Sequence, residues 1–189
     1  MRAARGSIFL IVTMLVSVGI VMIYSASSIY AYSSMNDSLY FLKKHLIYLA
    51  IGLVLMFTAM SIDINRLKSL SKPIILASIF LLLLVLIPHI GREAAGARRW
   101  FRIGVINFQP SEFAKIAVII YMAELISRKG TLMKSFVHGF LPAIIALGAI
   151  TGLVLLEPDL GTAITISAIA IIMMFAGSVR IRHILALIL

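Results

Sequence analysis

The chain has 189 residues, 62% hydrophobic and 13% charged, with a mean hydropathy of +1.11. Water-soluble domains carry roughly 45–50% apolar and about 25% charged residues, so this composition excludes an ordinary globular protein and, more firmly, a disordered one. The net charge is +10, from 17 Lys and Arg against 7 Asp and Glu; on a soluble protein that balance would raise nucleic-acid binding, but here it divides among membrane loops and gives no reason to expect a nucleic-acid partner. The absence of cysteine excludes disulfides, thiolate metal sites and cysteine nucleophiles.

From the N-terminus, Arg2 and Arg5 precede a stretch with no charge from Gly6 to Asn36. A secretory signal has an apolar region of about 7–15 residues and a small-residue cleavage site, so this stretch reads as a retained spanning helix. Crossing the hydrocarbon takes roughly 17–25 mainly apolar residues. Six stretches qualify: Ser7–Tyr24, Leu46–Ile62, Ile74–Ile90, Pro110–Ser127, Phe140–Leu156 and Leu160–Val179. Ser71 and Pro73 precede the third, Pro110 opens the fourth, and Pro142 lies in the first turn of the fifth, all helix-start signals. After His183 the run Ile184–Leu189 begins a seventh span, so the chain reads as the front part of a longer polytopic protein.

Basic residues on alternate loops set the orientation. One set holds Arg2, Arg5, Arg66, Lys68, Lys72, Arg128, Lys129, Lys134, Arg180 and Arg182; the other holds only Lys43, Lys44, Arg92, Arg98, Arg99 and Arg102. The positive-inside rule then places the N-terminus in the cytoplasm.

The loop from Pro88 to Gln109 runs against that rule, because Arg92, Arg98, Arg99 and Arg102 face Glu93 alone on the outer side. Guanidinium forks pair with phosphate oxygens, so the cluster suits an anionic headgroup such as a lipid pyrophosphate; arginines snorkelling into the headgroup layer would look the same. Trp100, the single tryptophan, lies within Arg98-Arg99-Trp100-Phe101-Arg102. It marks the interface or packs its face against a sugar ring or lipid stem. Phe101, Ile103, Val105, Ile106 and Phe108 follow, and place the segment along the interface.

Two further charged groups stand out. Glu112 and Lys115 share one face at the start of the fourth span, where the helix dipole favours a carboxylate. They form a structural ion pair or line a polar groove open to the outer face, with Glu112 as proton acceptor or cation ligand. In the turn Leu156-Glu157-Pro158-Asp159-Leu160, Asp159 is a candidate N-cap, and Pro158 favours an extended Glu157. Glu157 and Asp159 leave room for a divalent cation, although two carboxylates do not define a metal site. Glu124 is placed to pair with Arg128. Gly148 and Gly152 permit close helix packing, and His45, His89, His138 and His183 show no metal-ligand spacing. No metal or cofactor is evident.

Gly96-Ala97-Arg98-Arg99-Trp100, then Gln109-Pro110-Ser111-Glu112-Phe113-Ala114-Lys115, then Glu157-Pro158-Asp159-Leu160-Gly161-Thr162-Ala163 resemble the SEDS family (shape, elongation, division and sporulation), whose members include FtsW, RodA and SpoVE. Tyr24-Ser25-Ala26-Ser27 fits the same family, and the FtsW/SpoVE branch is favoured over RodA. The resemblance covers nearly the whole chain. It implies an all-α polytopic integral membrane protein with six complete transmembrane helices plus the start of a seventh. Residues 1–189 would then be the N-terminal portion of a single ten-helix domain in the bacterial inner membrane.

The resemblance further implies a peptidoglycan glycosyltransferase that polymerises lipid II. Its partners would be a class B penicillin-binding protein and other division or elongation proteins. Arg98, Trp100 and Glu112 fall on family motif positions, and Arg99, Arg102 and Lys115 join them as candidate substrate-binding residues, with Glu157 and Asp159 behind. The family's catalytic acid lies after the seventh span, outside this chain. Glu157 stands where many relatives would carry glutamine. A lipid II flippase and a non-catalytic scaffold are the competing readings.

Overall fold

The computed structural model describes residues 2–88, 91–94, 97–103 and 106–188. Of the positions singled out above, His89, Ile90, Gly96, Val105 and Leu189 lie outside the described residues. The chain divides into two compact units, Met1–Ile62 and Asp63–Leu189.

The first unit is a helical pair, α1 (Arg2–Met35) and α2 (Tyr40–Met60). α1 runs beyond its predicted span at both ends, and α2 starts before its span but ends at Met60, two residues short of Ile62. α1 continues through Tyr24-Ser25-Ala26-Ser27, and its serine hydroxyls are satisfied within the helix: Ser27 Oγ donates to the Ile23 carbonyl at 2.6 Å and Ser33 Oγ to that of Tyr30 at 3.0 Å. Asn36, at φ 54°, stops it, a left-handed position asparagine tolerates. α2 starts six residues before Leu46, since Lys43, Lys44 and His45 are accommodated on its first turns. Asp37 organises that start by accepting from the Leu39 N–H at 2.9 Å and from Lys43 Nζ at 2.7 Å, contacts that hold its carboxyl below the usual carboxylate range.

The second unit contains α3 (Ile64–Leu86), a three-stranded antiparallel sheet of β1 (Arg92–Ala94), β2 (Ala97–Ile103) and β3 (Ile106–Phe108), then α4 (Pro110–Lys129), α5 (Leu141–Leu156), α6 (Leu160–Ala176) and α7 (Ile181–Ile188). α4 packs between α3 and α6, while α5 touches α3, α4 and α6. Their shared core includes Leu82, Met122, Leu125, Ile150, Ile166 and Met174, each no more than 1% exposed. Small residues at Ala114, Ala117, Ala143, Ala163 and Ala170 let the backbones approach. Among the described residues, four helical segments, Gly6–Met35, Tyr40–Met60, Ile64–Leu86 and Phe136–Leu156, are long and apolar enough to cross a membrane. α6 is apolar and shorter, and α4 has the length but carries Glu112, Lys115, Glu124, Arg128 and Lys129. The protein is therefore an all-α polytopic membrane protein with a small sheet at one end of its second unit.

Boundaries in the second unit also differ from expectation. α3 begins ten residues before Ile74, where Asp63 caps it by accepting the Asn65 N–H at 3.1 Å. Pro73 consequently lies inside the helix, and Ser71 is buried in the core. A membrane helix tolerates such a proline because neighbouring helices and side chains can re-satisfy the freed carbonyl. α6 ends three residues before Val179, where Ser178 turns at φ 61° and the Val179 N–H returns to the Met174 carbonyl at 3.1 Å. α7 starts at Ile181 rather than at Ile184. Pro110 and Pro142, by contrast, occupy the first turns of α4 and α5 as read from the sequence.

Between α4 and α5 the chain makes a 3₁₀ turn over Gly130–Lys134 and a π turn over Phe136–Phe140. The two approach so closely at buried Gly139 that a Cβ there would sit 2.4 Å from Met133 Cα. Overpacking of this kind costs about 1–3 kcal/mol. Gly139→Ala should therefore lower the thermal unfolding midpoint clearly, whereas Gly148→Ala, with nothing within 4 Å of the added carbon, should leave it nearly unchanged.

Candidate functional site

One end of the second unit gathers the C-terminus of α3, the sheet, the start of α4 and the α5–α6 turn. The segment expected to lie along an interface is paired backbone: Phe101 pairs with Phe108 and Arg102 with Asn107 across β2 and β3, while Arg92 pairs with Trp100 across β1 and β2. Pairing satisfies the backbone N–H and carbonyl groups that an apolar surrounding would leave unmatched. Phe101 and Phe108 stack with centroids 6.5 Å apart, a cross-strand pair that fixes register. β2 in turn contacts α3 and α4.

A regular strand alternates its side chains between two faces, and from Trp100 onward β2 does so, with Trp100 and Arg102 on one face and Phe101 on the other. Before Trp100 the register shifts: Trp100 and Arg98 pair with the adjacent Arg92 and Glu93, so Arg99 is the extra residue of a bulge that breaks the alternation. Arg98 and Arg102 are exposed, and Trp100 is half-buried. Arg99 spans the α5–α6 turn: its Nε donates to the Glu157 carbonyl at 2.9 Å, Nη2 donates to the Pro158 carbonyl, and Nη1 lies 3.8 Å from Asp159 Oδ2. The guanidinium fork that could have held a phosphate holds a turn.

Asp159 is the N-cap of α6 read from the sequence. Its Oδ1 accepts the Thr162 N–H at 3.1 Å and its Oδ2 accepts Thr162 Oγ1 at 2.8 Å. Gln109 Nε2 also donates to Oδ2 at 3.1 Å, tying the start of α4 to the same turn. Gln109 and Thr162 were missed as site residues, although both stand inside the recognised motifs. Glu157 is not extended but sits at φ −83°, ψ 14°, because its N–H closes the end of α5 on the Leu153 and Val154 carbonyls. Its side chain is fully buried, and neither carboxyl oxygen has a hydrogen-bond partner. Burial pushes this carboxyl up to about 8, Asp159 adds to the rise, and Arg99 opposes it.

Glu112 and Lys115 pair at 2.7 Å on the first turn of α4, Glu112 exposed and Lys115 half-buried. Glu124 and Arg128 pair at 2.7 Å near the other end of the same helix. Among the described residues no group of three or more His, Cys, Asp or Glu is placed to hold a metal, and Asp159 is already occupied by Thr162, Gln109 and Arg99. The arrangement has two parts. One is a rigid brace of Arg99, Gln109, Asp159 and Thr162; the other is the set of exposed or half-buried side chains Arg98, Trp100 and Arg102 on β2 and Glu112 and Lys115 on α4.

The profile of the FtsW, RodA and SpoVE cell cycle proteins matches residues 5–189. The chain belongs to this family. It is 40% identical to a probable peptidoglycan glycosyltransferase FtsW of Geobacter sp. (strain M18), over 99% of this chain and 52% of that protein. It is 36% identical to the stage V sporulation protein E of Bacillus subtilis (strain 168), over 92% of this chain and 48% of that one. Among solved structures it resembles the rod shape determining protein RodA of Thermus thermophilus, with a TM-score of 0.70 and 30% identity over 89% of this chain and 56% of that one. It also matches a chain of a peptidoglycan synthase complex that coordinates polymerization and crosslinking, with a TM-score of 0.68 and 29% identity over 88% and 48%. The chain spans about half the length of the curated relatives it matches, and within the family it is FtsW/SpoVE-like.

Proposed function

We propose that the full-length protein is a peptidoglycan glycosyltransferase of the bacterial cytoplasmic membrane, and that this portion supplies its outer surface for the lipid-linked substrate. The N-terminus is then cytoplasmic, as the loop charges favour, and the β2 end of the second unit faces outward. The names of the relatives support the reaction class. The observation that carries the site is the partition of the arginine cluster: Arg98 and Arg102 stay exposed beside half-buried Trp100, while Arg99 braces the α5–α6 turn.

In the reaction, a sugar hydroxyl of one substrate attacks the anomeric carbon of another. The bond from that carbon to the pyrophosphate oxygen breaks, the pyrophosphate leaves with the electron pair, and a base takes the hydroxyl proton. Charge builds on the leaving diphosphate, and fixed cations placed there lower the barrier. Arg98 and Arg102 would meet that charge and Trp100 would pack against a sugar or the lipid stem. Lys115, oriented by Glu112, would add a cation at the start of α4. The base lies outside this chain, and a class B penicillin-binding protein would supply cross-linking.

The test is polymerisation of purified lipid II by the full-length protein with its penicillin-binding partner. Arg98→Ala and Trp100→Ala should each abolish glycan product while the protein remains folded and membrane-inserted. Normal polymer length and yield from both variants would overturn the site. Lipid II movement across vesicles with no polymer from the wild type would favour transport instead.

A further inference from the structure

The opposite end of the second unit carries a cavity of about 390 Å³, lined by Ile126, Gly130, Thr131, Lys134, Gly177 and Ser178 among others. That volume falls in the small-ligand range of roughly 300–1,000 Å³. We propose that it binds the phosphate of an anionic membrane lipid.

Turns rather than mobile side chains shape the cavity. Gly130 closes α4 at φ 49°, and Ser178 turns at φ 61° after α6. Between them Gly177 is pressed against Ile126, where a Cβ would lie 2.8 Å from Cγ1. Lys134, Thr131 and Ser178 are exposed and line the opening, so they offer one cation and two hydroxyls to an oxyanion.

The segments that line it carry mostly positive charge. From Leu125 to Leu156, and again from Leu160 onward, the sequence contains no Asp or Glu, yet it carries Arg128, Lys129, Lys134, Arg180 and Arg182. Glu124, the nearest acid in sequence, is already paired with Arg128 at 2.7 Å. A phosphate approaching this end meets no fixed carboxylate from either lining segment.

The depth also suits a lipid. Ile172 and Phe175 of α6 are 66% and 65% exposed just before the cavity, and Leu132 is 55% exposed within the segment that lines it. Large apolar side chains left bare beside a basic pocket mark the level at which acyl chains meet headgroups. Basic pockets between transmembrane helices bind anionic headgroups in this way. A free phosphate shares the oxyanion chemistry but gains nothing from Ile172 and Phe175.

The experiment places the full-length protein in nanodiscs of phosphatidylcholine, with or without phosphatidylglycerol. It then measures phosphatidylglycerol retained on extraction, by native mass spectrometry, and the unfolding midpoint. Phosphatidylglycerol should raise the midpoint and remain bound. Lys134→Ala should weaken retention at least fivefold and Lys134→Arg should restore most of it. Lys72→Ala, which removes a cation from α3 outside the cavity lining, should change nothing. Equal losses from Lys72→Ala and Lys134→Ala would mean bulk surface attraction and would overturn the site. Inorganic phosphate that reproduces the full midpoint shift without phosphatidylglycerol would overturn the lipid assignment. Because Lys134 is exposed, its alanine variant should fold, and its midpoint in phosphatidylcholine alone checks this.

Discussion

Arg99→Ala should destabilise the second unit by about 2–4 kcal/mol, since hydrogen bonds to charged groups contribute roughly 1.5–3 kcal/mol each and the side chain makes two, besides its approach to Asp159. Its removal leaves the Glu157 and Pro158 carbonyls without their donor at a turn where neighbouring groups are buried. Arg99→Lys should recover only a small part. An ammonium on a flexible stem reaches one acceptor well, whereas the planar fork reaches both carbonyls and faces the Asp159 carboxylate at once. Thermal unfolding of wild type and both variants in the same nanodiscs measures this. Full recovery by lysine would mean that only the positive charge matters and that the fork geometry does not.

The second large effect concerns Glu157 and pH. Its carboxyl titrates near 8 when folded, against 4.5 for an unperturbed side chain. Below about pH 4.5 both the folded and unfolded states hold the proton, and the group contributes no difference. Between 4.5 and 8 the folded state keeps a proton that the unfolded state has lost, so stability falls as pH rises, and above 8 it levels off. The total loss should be on the order of 2–4 kcal/mol, each unit of displacement corresponding to about 1.4 kcal/mol. Glu157→Gln keeps the shape, removes the ionisation and should flatten this part of the profile, so that the variant is more stable than wild type at pH 8 and above. A wild-type profile that rises from pH 5 to 8, or a variant profile parallel to it, would contradict a buried and unpaired carboxyl.

These two residues also show what sequence could and could not reveal. Contacts at short spacing were legible: the Glu112–Lys115 and Glu124–Arg128 pairs lie within one helical turn, and the Asp159 cap reaches only to Thr162. Each follows from local geometry that the residue types alone specify. The Arg99 brace was not legible, because its acceptors are backbone atoms almost sixty residues away, and a run of arginines does not say which one turns inward. Nor does the run Arg98-Arg99-Trp100-Phe101-Arg102 reveal the bulge that interrupts the alternation of β2 between Arg98 and Trp100. α2 and α3 start before their apolar runs, within charged segments that sequence alone does not distinguish from loop. At a membrane edge, Lys43 and Lys44 or Arg66 and Lys68 can extend to the headgroups while their backbone is already helical.

The division of labour on β2 is the claim on which the functional reading rests, and direct binding tests it best. Labelled lipid II should bind the full-length protein in nanodiscs saturably, and Arg98→Ala and Trp100→Ala should each weaken that binding at least tenfold with unfolding midpoints close to wild type. Arg99→Lys should do the reverse, lowering the midpoint while shifting affinity much less. Unchanged affinity in the Arg98 and Trp100 variants, with the main loss falling on Arg99→Lys, would contradict the assignment of Arg98 and Trp100 to the substrate.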